Sequence, residues 1–286
     1  IFLGLYIGSY IDKSLFSQIH QWAWTSFVML AYVIISILLV SKYLQKLSGY
    51  DRKTSLFSAA PGALGPLLIL AEDEKSDLSR VATSHLIRLF IIITIFPFLV
   101  QNFHDFDTVK VSETIVEKQN FSDLIVLIVL SVILIFVFNK LRLPAALLTG
   151  TLVASGFLQI TDLATYKISP GMIDYCLLIL GSSVGCRFAN KTFGTIAKNA
   201  LHSFVATLFL VFLGIIAALV AGFFIDKNFF TLLLSYCPGG IYEVAVIAIF
   251  FNLDPEFVSF HHIIRLLIIL FVVPIFVRMS KAKKPT

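Results

Sequence analysis

Long uninterrupted apolar runs, rather than alternation, organise this chain. A helix crosses the roughly 30 Å apolar core of a bilayer with about 20 residues. Windows of that kind fall at 23–41, 81–101, 122–138, 170–186, 200–225 and 257–279. Two shorter runs, 1–11 and 144–159, fit spans bounded by the first residue and by Pro144, which makes eight predicted crossings. Two further apolar stretches, 54–71 and 229–252, are interrupted by Pro61-Gly62-Ala63 and by Pro238-Gly239-Gly240. Proline lacks the amide hydrogen a helix needs and glycine admits turn conformations, so each tripeptide breaks a helix inside an apolar segment.

Composition agrees with a lipid environment. Of the 286 residues, 58% are hydrophobic and 14% charged, against about 25% charged in a soluble domain. The net charge of +5 does not point to nucleic acid, because the Lys and Arg sit at segment ends rather than along one face. Basic loops stay on the cytoplasmic side. Lys42, Lys46, Arg52 and Lys53 mark one such loop, Lys140 and Arg142 a second, and Arg187, Lys191 and Lys198 a third. The tail, with Lys281, Lys283 and Lys284, marks a fourth, so the C-terminus is expected in the cytoplasm. The acidic stretch 102–120, with Asp105, Asp107, Glu113 and Glu117, suits the outer side, as does the neutral pair Asp226-Lys227. These marks agree only if 54–71 and 229–252 enter and return as re-entrant hairpins. Were 229–252 a crossing, the basic tail would end outside. Cys176, Cys186 and Cys237 have no CxxC spacing and give neither a disulfide framework nor a metal signature.

The chain also overlays on itself without a gap at a shift of 177 residues. Gly4 and Gly8 fall on Gly181 and Gly185, and Ser26-Phe27-Val28 on Ser203-Phe204-Val205. Ser58, Pro61 and Gly62 meet Ser235, Pro238 and Gly239. Asp77, Val81, His85, Arg88 and Pro97 meet Asp254, Val258, His262, Arg265 and Pro274. Apolar coincidences mean little here, but His, Arg, Asp and Pro in register mark a duplication. Each full repeat then holds five transmembrane helices plus one re-entrant hairpin. An odd number of crossings turns the second copy upside down, the inverted-repeat layout of secondary transporters. The expected fold is an all-α polytopic membrane protein. Its first repeat is 1–101, lacking its first two helices; its extracytoplasmic connector is 102–121; and its second repeat is 122–286. Residues 122–177 have no counterpart, so the natural protein is expected to begin roughly 55 residues upstream.

The two signatures are SAAPGALGPLLILAEDEKSDLSRVATSHLIRLFIIITIFP at 58–97 and SYCPGGIYEVAVIAIFFNLDPEFVSFHHIIRLLIILFVVP at 235–274. With LRLPAALLTG at 141–150, they resemble the AbrB family of duplicated bacterial membrane proteins over essentially the whole chain. The resemblance implies a bacterial inner-membrane protein of transporter-like architecture. It says less about chemistry: the family name comes from an implied role in regulating gene expression, and some members carry an ammonia monooxygenase label. One departure inside the duplication is that Glu243, after the second Pro-Gly-Gly, has Pro66 opposite it.

The candidate site follows from polar groups in apolar segments. Arg265 lies about ten residues, hence about 15 Å, into its span, near the bilayer middle. An unpaired arginine there costs at least ~2.5 kcal/mol. His262 and His261 are three and four residues earlier, and Arg88 with His85 repeats the arrangement. Two readings stand for each arginine: an anion ligand, or a fork tying the carbonyls of a broken helix. The histidines read either as proton carriers or as neutral, hydrogen-bonded packing groups. Glu243 reads as a first-turn cap, a coupling-ion ligand or a partner for Arg265. The tips Pro61-Gly62-Ala63 and Pro238-Gly239-Gly240 expose backbone groups, and helix N-termini aimed there favour an anionic solute. Glu72-Asp73-Glu74 reads as a solvated helix end. Gly4 and Gly8, with Thr149, Gly150 and Ser155, read as close helix packing.

Three functions compete. A secondary transporter would hold a small solute between the tips, anionic where the helix N-termini select it, with a proton or sodium as candidate coupling ion. A membrane regulator would act on gene expression directly or through a transported metabolite, and the longest polar stretch, about 102–120, leaves little room for an output domain. A metal-dependent monooxygenase fits least, because His20, His85, His104, His202, His261 and His262 include no HxxxH or HxH pair. The expectation is a transporter, not an enzyme, with no cofactor. Its expected partners are the lipid bilayer and a small solute, with a second copy as a candidate homodimer mate.

Overall fold

The computed structural model describes residues 1–9, 15–103, 121–141, 146–164 and 193–282, with isolated positions 175, 178, 179, 182 and 186. Nearly all of the connector and most of the span expected at 170–186 lie outside these residues. So do Arg142, Pro144, Arg187, Lys191, Lys283, Lys284, Gly181, Gly185, His104 and Cys176, and the side chains of His20, Lys198 and Lys281.

Eleven helices and no strand make up the described residues. They are α1 (Phe2–Gly8), α2 (Leu15–Ser48), α3 (Arg52–Ala59), α4 (Leu64–Asp73), α5 (Leu78–Phe103) and α6 (Phe121–Lys140), followed by α7 (Ala146–Thr161), α8 (Phe193–Ala221), α9 (Phe229–Tyr236), α10 (Ile241–Phe250) and α11 (Pro255–Ala282). Helices α2, α5, α6, α8 and α11 are long and apolar enough to cross a bilayer, and they are the spans expected at 23–41, 81–101, 122–138, 200–225 and 257–279. The chain is an all-helical polytopic membrane protein. Its outer surface carries Trp24, Phe27, Phe90, Phe98 and Phe212 exposed, which suits lipid and would be costly in water. Helix α6 buries only Leu127 and Ser131.

The offset of 177 recurs in the helix bounds. Helices α3, α4 and α5 begin at 52, 64 and 78, and α9, α10 and α11 at 229, 241 and 255. Capping recurs with it. Asp51 caps α3 by accepting from the amides of Lys53 and Thr54, and Asn228 at the equivalent position caps α9 by accepting from Phe230. A carboxylate or amide oxygen there satisfies amides that the first helical turn leaves unbonded. The ends of α4 and α10 also match. Lys75 and Asn252 are left-handed, and the amides of Ser76 and Leu253 reach back to the carbonyls of Ala71 and Ala248, the Schellman way of closing a helix.

Each broken segment folds back on itself. Lys53, at the start of α3, pairs with Glu74, at the end of α4, at 2.9 Å. Lys227, just before α9, lies 3.5 Å from Asp254, just after α10. The two hairpins point from opposite ends, because α2 and α8 run antiparallel. Tyr43 near the end of α2 meets His202 near the start of α8 at 3.4 Å, while Trp24 stacks on Phe224 at the other end. Between the hairpins the core takes one residue from each half at matching positions: Val81 and Val258, Leu67 and Val244, Ile92 and Ile269 are all fully buried.

Helix α1 packs on α7 through its glycines. A β-carbon on Gly4 would lie 2.1 Å from Thr151 Oγ1, and one on Gly8 would lie 2.5 Å from the Leu152 carbonyl. Ser155 donates to the Leu5 carbonyl at 2.8 Å across this contact.

Candidate functional site

At the first tip, Gly62 has φ +115° and Ala63 has φ +62°. A β-carbon at 62 would stand 2.8 Å from Nη2 of Arg265. Glycine is therefore required twice there, for its backbone angle and for the guanidinium pressed against it. The second tip is built differently. Gly240 is extended, with φ −80°, and a β-carbon on it would fall 1.9 Å from Oε2 of Glu243. The carboxylate at the third position of α10 thus folds back over the residue that precedes the helix, in the manner of a capping box. Gly239 abuts Val244 and, across the halves, Ile92 of α5.

Below each tip stands the same histidine–arginine pair. His85 donates from Nε2 to the Phe57 carbonyl at 3.0 Å, and His262 donates to the Leu234 carbonyl at 2.9 Å; the carbonyls are themselves one offset apart. Arg88 Nη1 donates to the Ala60 carbonyl and Nη2 to that of Ser58 at 2.7 Å. Arg265 Nη1 donates to the equivalent Cys237 carbonyl, but its Nη2 donates to the Gly239 carbonyl and to Nδ1 of His262 at 3.0 Å. Since Nδ1 of His262 accepts while Nε2 donates, that ring is neutral. These charge-assisted bonds satisfy carbonyls that the broken helices leave free, which offsets the burial of two arginines that are each 2% exposed. His261 faces elsewhere: it bonds Thr25 of α2 at 2.8 Å, so it does not join Arg265 as its spacing alone allowed.

The tips line a half-open cavity of about 270 Å³, formed by Gly62, Ala63, Leu64, Gly65 and Pro66 of the first half and Pro238, Gly240, Ile241, Tyr242 and Glu243 of the second, with His85, Arg88, Leu89 and Leu266 as its other walls. Neither Ala63 nor Gly240 offers a side-chain cap, so the N-terminus of α4 opens into the cavity, while at α10 the Glu243 carboxylate lies over the helix start. Helix N-termini carry partial positive charge and unbonded amides. Arg88 adds a full charge, and its buried Nε has no hydrogen-bond partner.

Of the residues singled out from sequence, Gly62, Ala63, His85, Arg88, Pro238, Gly240 and Glu243 share this lining. Pro61, Gly239, His262 and Arg265 stand outside it, with Arg265 directly behind Gly62. Sequence reasoning did not select Leu89 and Leu266, although each directly follows its arginine and the two are one offset apart. It also did not select Tyr242, which carries no repeat signal. Among the described residues, no three His, Cys, Asp or Glu side chains group so as to hold a metal ion.

No solved structure matches this chain. The uncharacterized protein YhjN of Bacillus subtilis (strain 168) is similar, 21% identical over 97% of this chain and 76% of its own length. The protein named "Putative regulator AbrB" of Escherichia coli (strain K12) is 25% identical over 90% of this chain and 75% of its own length. The sequence model for AbrB, described as transition state regulatory protein AbrB, matches residues 1–281, and the chain belongs to the AbrB family.

Proposed function

We propose that this chain is a secondary transporter that holds a small anionic solute between its two hairpin tips. The observation that carries the reading is the shared cavity, on whose lining Arg88 stands with the starts of α4 and α10. The hairpin helices of 8 and 10 residues reach only about 12 and 15 Å, half of the roughly 30 Å apolar core. Each hairpin therefore enters and returns, with its tip at mid-depth. Bases at opposite ends of the molecule then mean entry from opposite membrane faces, as in carriers built from inverted repeats. The loop charges support a cytoplasmic C-terminus in a bacterial inner membrane. Proton and sodium are the candidate coupling ions, and a second copy of the chain is a candidate partner.

The test is uptake of a broad panel of radiolabelled anions by the purified protein in proteoliposomes. Uptake of at least one anion, abolished by Arg88→Gln, is expected. A panel with no member moved would end the carrier reading. The name of the Escherichia coli relative favours a second reading, an effect on gene expression. An expression effect lost together with uptake in Arg88→Gln would run through the solute, and one that survives the loss would be a separate activity.

A further inference from the structure

We infer that the cavity accepts one negative charge, that Glu243 sets this limit, and that the solute is a small monocarboxylate. This rests on the carrier reading above. Two cations and one carboxylate stand at the cavity: Arg88 and Glu243 on its lining, and Arg265 immediately behind Gly62. His262 is neutral by its hydrogen bonds, and His85, which gives its Nε2 proton to the Phe57 carbonyl, is counted as neutral. The starts of α4 and α10 are dipoles and add no net charge. The formal sum is therefore +1, and an uncompensated charge at this depth is costly. One anionic group on the solute brings the sum to zero, and a second would leave it at −1.

The halves contribute unequally to this balance. Their arginines are equivalent, but the acid of the second half has Pro66 as its counterpart in the first, and both line the cavity. Arg88 anchors the carboxylate, since it stands on the cavity lining whereas Arg265 is walled off by the first tip. The volume of about 270 Å³ falls just below the ~300–1,000 Å³ of sites for drug-sized ligands. Leu89, Ile241 and Leu266 offer a wall for a short alkyl tail.

The experiment compares proteoliposome uptake of acetate, lactate and pyruvate with that of succinate, malate and fumarate at pH 7.5. The wild type is expected to favour the monocarboxylates by about tenfold or more. Glu243→Gln, which raises the formal charge to +2, is expected to shift the ratio by about tenfold or more towards the dicarboxylates. Glu243→Asp is expected to keep the wild-type order. A wild type that moves both classes equally, or prefers dicarboxylates, overturns the inference. So does a Gln variant with an unchanged ratio. If the Gln variant does not fold, the wild-type ratio and its inhibition by unlabelled competitors of each class decide. Movement of other anions without the monocarboxylate preference removes this inference alone, and movement of none removes the carrier reading with it.

Discussion

Gly62 concentrates two constraints in one residue, and its neighbour Gly65 supplies the contrast. At 62 the backbone is in the glycine region and the space beyond is filled by the Arg265 guanidinium; at 65 nothing lies within 4 Å of the would-be β-carbon. Gly62→Ala should therefore destabilise by about 1–3 kcal/mol, and Gly65→Ala should stabilise by about 0.5–1 kcal/mol. Thermal or denaturant unfolding in detergent reads both. Equal effects from the two would show that the tip is not packed on Arg265. The paired histidines and arginines were legible in the sequence because identical side chains do identical work: each ties a carbonyl at the same offset. Which arginine faces the cavity was not legible. That depends on the tip backbone, left-handed at Ala63 and extended at Gly240, and on the different carbonyl taken by the second Nη2.

At the scale of elements, the duplication hides where partners change places. Arg80 lies over the Tyr50 ring at 4.8 Å, and Lys227 over the Phe257 ring at 5.9 Å. Positions 50 and 227 are equivalent, as are 80 and 257, so cation and ring have exchanged sides while the attraction at each hairpin base is kept. A comparison of residue identities cannot see this, because neither position matches. Helix α7 teaches a similar lesson. Glycine spacing exposed the packing of α1, but on α7 it is Thr151 and Ser155, four apart on one face, that meet α1, while Gly150, turned aside by the helical period, meets Ile135 of α6. Gly8→Leu should force α1 off α7 and cost about 2–4 kcal/mol in a detergent unfolding titration. Ser155→Ala, which removes only the bond to the Leu5 carbonyl, should cost about 1 kcal/mol. A Gly8→Leu effect no larger than that of Ser155→Ala would mean that α1 does not depend on close backbone approach.

For the molecule as a whole, the decisive property is direction. The antiparallel run of α2 and α8 puts the first hairpin base at one end and the second at the other, and in a membrane those ends must face different compartments if the tips are to meet at mid-depth. A carrier needs this arrangement, because a solute enclosed by tips from both faces can be released to either side by opening one hairpin. Tips entering from a single face would leave the other route closed. Arg52 and Asp226 are exposed at the two bases, so single cysteines there report the side of each. In a background lacking Cys176, Cys186 and Cys237, a membrane-impermeant maleimide added to spheroplasts should label Asp226→Cys and spare Arg52→Cys. Inverted membrane vesicles should give the opposite pattern. Labelling of both from the same side would place both bases in one compartment, and the cavity could then no longer be reached in turn from the two faces of the membrane.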